Sequence, residues 1–81
     1  MTSLEELRTQ LSDVDDQIAD LYEKRMKICE DLGTCKIKNG YKTFDRQREK
    51  NKIAEVMGKV SSDFNKKGIG EVYELLLAIS R

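Results

Sequence analysis

The stretch LEELRTQLSDVDDQIADLYEKRMKICEDL, residues 4–32, decides the fold of this 81-residue chain. Its apolar residues recur at helical spacing: Leu4, Leu7, Leu11, Val14, Ile18, Leu21, Ile28 and Leu32. That periodicity predicts one long amphipathic helix. One seat of the stripe, midway between Ile18 and Leu32, holds Arg25, and Arg8 and Lys36 flank the same stripe four heptads apart. A cation on a core-facing seam is costly unless an anion meets it. Such a set of cations points to a site for a small, highly anionic molecule.

Working outward, Thr2 or Ser3 can cap the helix, with Glu5 and Glu6 in a first turn where the dipole favours anions. Gly33 weakens the interior by roughly 1 kcal/mol relative to alanine. Cys35 and Ile37 nevertheless continue the pattern, and Asn39-Gly40 is a strong stop. A helix of about 36 residues is ~54 Å long, whereas a compact chain of this size is only ~30 Å across. Its stripe therefore outruns what one chain can cover, and pairing with a second copy, a homodimer, is expected.

Beyond the stop, Tyr41-Lys42-Thr43 reads as a connector, and a second helix is expected from near Thr43, carrying Ile53, Val56, Met57 and Val60 inward. Ser61-Ser62-Asp63 and Lys66-Lys67-Gly68 bracket an expected polar turn. A third helix then carries Ile69, Val72, Tyr73, Leu76, Leu77 and Ser80. The fold class is all-α, with three helices per chain in a single domain spanning 1–81.

Composition narrows the functions. Lys+Arg and Asp+Glu are both 15, so no net field attracts nucleic acid or an acidic membrane. No apolar run approaches the ~20 residues of a membrane span, and no signal-peptide pattern opens the chain. The absence of histidine removes the commonest general base and the commonest metal ligand together. Cys29 and Cys35, six residues apart on one helix, point off different faces and cannot bridge each other. Two unpaired thiols fit a reducing cytoplasm.

The second constellation is Phe44-Asp45-Arg46-Gln47-Arg48-Glu49, in which Asp45, Arg48 and Glu49 share one helical face through i,i+3 and i,i+4 spacing. Singly, each candidate has an ordinary reading. Arg8 and Lys36 would be solvated flanks, Asp45 a cap, Arg48 and Glu49 surface charges, and Ser80 a helix-end polar residue. Arg25 resists that treatment, because exposing it breaks the stripe.

The ordered set, Arg8, Arg25, Lys36, then Asp45-x-x-Arg48-Glu49, then Ser80, resembles the all-helical class of chorismate mutases over nearly the whole chain. The resemblance implies an intertwined homodimeric helical bundle with two active sites and chorismate as substrate. It also implies that Arg25 and Arg48, with Arg8 from the partner chain, hold the two carboxylates, assisted by Ser80. Glu49 and the backbone near Asp45 would meet the ring hydroxyl, and Lys36 the ether oxygen. The implied reaction, chorismate to prephenate in aromatic amino-acid biosynthesis, is a [3,3] rearrangement. It needs no nucleophile, proton transfer, metal or cofactor, which agrees with a chain lacking histidine.

The family usually carries Gln or Glu one turn after that serine, acting with the lysine, whereas this sequence ends at Arg81. Two readings follow: a piece of a longer, fused enzyme, or a minimal version in which another group or water meets the oxygen. Loss of one such hydrogen bond costs about 3 kcal/mol, roughly a hundredfold in rate. Two rival functions stand beside the mutase: an isochorismate pyruvate lyase on the same scaffold, and a non-catalytic helical dimerisation or regulatory module.

Overall fold

The computed structural model describes residues 3–40 and 44–81, the side chain of Ile37 excepted. The described residues form three helices, α1 (Leu4–Lys38), α2 (Arg46–Met57) and α3 (Asp63–Ile79), and no strand. The chain divides into two units, one ending at Asp31 and the other running from Leu32 to Arg81.

The first unit is the greater part of α1. Ser3 caps it, its hydroxyl oxygen accepting from the Glu6 backbone N–H at 3.1 Å. Glu5 and Glu6 occupy the first turn as expected. The eight large apolar residues of the stripe, the last of them Leu32 just beyond this unit, are each 48–64 % exposed. Arg25 is half-buried where its apolar neighbours along the seam are open to water.

The second unit begins with the last turns of α1, which pass Gly33 without a break. Asn39 ends the helix twice over, its backbone N–H donating to the Cys35 carbonyl at 3.1 Å and its side-chain amide to the same carbonyl at 2.8 Å. Gly40 then turns the chain with φ of 76°, a left-handed conformation that glycine adopts freely. The expected connector Tyr41-Lys42-Thr43 lies outside the described residues. The second helix starts at Arg46, later than the expected position near Thr43, because Asp45 takes the cap. Its carboxylate accepts from the Arg48 backbone N–H at 3.2 Å.

The third helix corrects the sequence-based boundary. The expected polar turn ends at Ser62, whose hydroxyl oxygen caps α3 by accepting from Asn65 N–H at 3.0 Å. Lys66, Lys67 and Gly68 are therefore inside the helix. Lys66 accounts for this placement: its ammonium reaches back to donate to the carbonyls of Met57 and Val60, at 3.1 and 2.9 Å. A charge that reads as a turn residue thus satisfies carbonyls at and just beyond the end of α2.

α2 and α3 pack against each other. Ile53, Val56 and Met57 of α2, with Val60 beyond the helix end at Met57 rather than on the helix as expected, and Ile69, Tyr73, Leu76 and Leu77 of α3 are half-buried. Gly70 is buried; a Cβ there would lie 3.2 Å from the Met57 sulfur, so a small residue permits the close approach. Val72 is exposed, as are Leu75 and Ile79. Among the described residues no large apolar side chain is fully buried.

Candidate active site

In the unit from Leu32 to Arg81, the chemistry gathers where α2 begins. Capping by Asp45 fixes the first turn, and the Glu49 backbone N–H donates to the Asp45 carbonyl at 3.1 Å. Glu49 is the less exposed carboxylate of this group, its side chain only 14 % open. Arg81, the residue after the Ser80 cap of α3, grips it with a two-pronged fork. The Arg81 Nε donates to one Glu49 oxygen at 3.1 Å and a terminal guanidinium nitrogen to the other at 2.9 Å. Arg46 lies 3.9 Å from the second oxygen. The Arg81 guanidinium also stacks 4.3 Å over the Phe44 ring.

The fork holds the Glu49 carboxyl below the usual carboxylate range. The hydrogen bonds from Arg81 are the chief cause, partial burial opposes them, and the charges of Arg81 and Arg46 assist. Glu49 is therefore an anion able to accept, not a proton donor, near neutral pH.

Ser80 closes α3: its backbone N–H bonds to the carbonyls of Leu76 and Leu77, and its hydroxyl donates to the Leu76 carbonyl. Arg48 is exposed on α2, and Lys36 is half-buried in the last turn of α1. Of the sequence-predicted residues, Asp45, Arg48 and Glu49 are brought together at one helix start. Ser80 joins that end through its neighbour Arg81. Arg8 and Arg25 belong to the other unit. There Arg8 is exposed, and Arg25 donates to the Cys29 sulfur at 3.4 Å.

Against this arrangement, the family model for chorismate mutase type II matches residues 7–81. The chain belongs to the type II chorismate mutase family. No curated protein and no solved structure matches it significantly. All seven candidate residues, from Arg8 to Ser80, fall inside the matched stretch. This chorismate mutase is an isomerase of the all-helical class, and the three described helices agree with that class. No described helix is long and apolar enough to cross a membrane. Among the described residues no cluster of three His, Cys, Asp or Glu side chains could hold a metal.

Sequence reasoning gave no role to Arg81 or Phe44. Thirty-two positions separate Arg81 from Glu49, so local spacing carries no sign of the contact. Only the antiparallel return of α3 along α2 could have revealed it.

Proposed function

We propose that this protein converts chorismate to prephenate by [3,3] rearrangement, and that its active site is completed between two copies of the chain. The observation that carries this reading is the ordered set Arg8, Arg25, Lys36, Asp45, Arg48, Glu49 and Ser80 lying inside the family match to residues 7–81.

The substrate carries two carboxylates, a ring hydroxyl and an ether oxygen linking ring to enolpyruvyl arm. In the rearrangement the ether C–O bond breaks as a C–C bond forms between arm and ring, with no atom gained or lost. The task is to fold a flexible arm over the ring and to steady the charge that grows on the ether oxygen. Planar guanidinium groups suit the first part: Arg25 and Arg48, with Arg8 of the partner chain, fix both carboxylates, and Ser80 assists one of them. Lys36 serves the second part. Its ammonium stabilises the transition state more than the ground state, because the ether oxygen gains negative charge only as its bond stretches. Glu49 accepts from the ring hydroxyl, with the backbone near Asp45, and its ionised state suits that role.

Support for the dimer comes from the α1 stripe, in which eight Leu, Ile and Val residues are about half exposed. Covering them would contribute about 1 kcal/mol each, which is ample driving force for pairing two α1 helices. In that assembly residues 1–81 act as a single domain. The two free cysteines, Cys29 and Cys35, fit a cytoplasmic setting, and the proposed reaction gives the enzyme a place in aromatic amino-acid biosynthesis.

Incubation of purified protein with chorismate tests the reading. Loss of chorismate absorbance with prephenate as product is expected. Release of pyruvate from isochorismate, with chorismate untouched, would instead identify the lyase. Failure to bind any dicarboxylate analogue would leave only a structural module.

A further inference from the structure

Arg81 is joined to Glu49 in a way that a chance surface pair is not. Its guanidinium meets both carboxylate oxygens, at 3.1 and 2.9 Å, and lies 4.3 Å over the Phe44 ring. The stack fixes the plane of the guanidinium, and the fork fixes the plane of the carboxylate against it. An ionised carboxylate offers about four lone-pair directions. The fork uses two of them, one on each oxygen, and leaves the other two oriented and free to accept. Phe44 lies just before the Asp45 cap and Arg81 just after the Ser80 cap, so the clamp also pins the end of α3 to the start of α2.

We propose that Arg81 is a positioning residue of the active site, holding Glu49 in one orientation so that its remaining lone pairs receive the substrate's ring hydroxyl, with Phe44 holding Arg81. The assignment rests on the reading of Glu49 as the hydroxyl acceptor. The charged groups around the clamp are Arg46 on α2, which is near Glu49, and Glu74 on α3, which favours the charged form of Arg81. Arg46 sits at 3.9 Å and makes no fork, so with Arg81 in place it does not share in orienting the carboxylate.

The test uses two oxabicyclic dicarboxylate probes, one bearing the ring hydroxyl and one lacking it, with Arg81→Met. The expected result is about tenfold weaker binding of the hydroxylated probe, as for one lost oriented hydrogen bond, and little change for the deoxy probe. KM for chorismate should rise by a similar factor with kcat nearly unchanged. In a Glu49→Gln background the same substitution should have little further effect, because the two residues act as one unit. Arg81→Lys keeps the charge without the fork and should restore only part of the discrimination. It also carries the comparison if Arg81→Met loses helical content. Equal weakening of both probes, or the full Arg81→Met loss persisting beside Glu49→Gln, would overturn the assignment in favour of a purely structural pin. If wild-type protein binds neither probe, the substrate reading fails and the hydroxyl assignment with it. Carboxyl-carbon NMR titration of Glu49 tells the two failures apart. A midpoint that rises in Arg81→Met means that the clamp exists without this ligand, and an unmoved midpoint overturns the clamp itself.

Discussion

The part of α1 up to Asp31 and the α2–α3 pair solve the same problem in opposite ways. The α2–α3 pair finds part of its partners within the chain: Lys66 satisfies carbonyls around the end of α2, Gly70 lets the helices approach at Met57, and Arg81 returns to Glu49, while Val72, Leu75 and Ile79 stay exposed. The α1 segment has an apolar stripe with all seven of its Leu, Ile and Val residues from Leu4 to Ile28 open to water and one cation, Arg25, set among them. A pattern that strict calls for a complement outside the segment, the role proposed above for a second copy of the chain. The difference teaches that the regularity of an amphipathic stripe and the burial of that stripe are separate facts, and that the gap between them measures what a partner must supply.

The sharpest way to break this comparison is to charge the stripe. Ile18→Asp should abolish assembly and cooperative folding together, because a buried carboxylate without a cation costs several kcal/mol. The wild-type melting temperature should rise with protein concentration, as it does where folding is linked to association. Sedimentation of the wild type as a folded monomer at micromolar concentration would contradict the contrast. An equivalent charge at Phe64, an exposed residue of α3 outside the stripe, should leave helicity intact.

Next in size is the catalytic contrast. Lys36→Ala should lower kcat by at least ~10²-fold while binding of a ground-state dicarboxylate weakens much less. Equal losses in both would make Lys36 a plain binding residue. Arg25 tests the seam directly: Arg25→Met should lose substrate affinity by about tenfold or more, yet leave the protein as stable as before or more so. Unfolding without a change in binding would make Arg25 structural.

The smallest expected effect is a pH dependence in the other unit. Glu49 has its carboxyl held low chiefly by Arg81. A lowered folded-state value contributes stability that is present above the unfolded carboxylate range and is lost as pH falls through the folded value. The difference in melting temperature between wild type and Arg81→Met should therefore narrow between about pH 6 and pH 3. A gap that stays constant across that range would mean that the ion pair contributes nothing to it.

How much was legible in the sequence follows from the range of each signal. α1 and its stop at Asn39-Gly40 were readable because periodicity and capping are local. The start of α3 was misread because Lys66-Lys67-Gly68 looks like a turn until Lys66 is seen reaching across to carbonyls of another segment. Asp45 was legible both as a cap and as a neighbour of Glu49, and the structure gives it the cap. Which of the third helix's residues face α2 was not legible, because α3 is apolar on more than one side: Tyr73 is half-buried and its neighbour Val72 exposed. Arg81 was invisible because its contact with Glu49 depends on the return of one helix along another.

The central claim, that each active site takes Arg8 from one chain and Lys36 with its neighbours from the other, is tested most directly by mixing two disabled variants. Arg8→Ala and Lys36→Ala homodimers should each be nearly inactive towards chorismate. After co-refolding at equal concentration, half the dimers are mixed, and each mixed dimer holds one site with every residue intact. The account predicts recovery of about a quarter of wild-type kcat per chain, the value expected for random pairing in a two-fold dimer. If Arg8 served the site of its own chain, every site in the mixture would lack one residue. Activity no greater than the sum of the two parents would contradict the account.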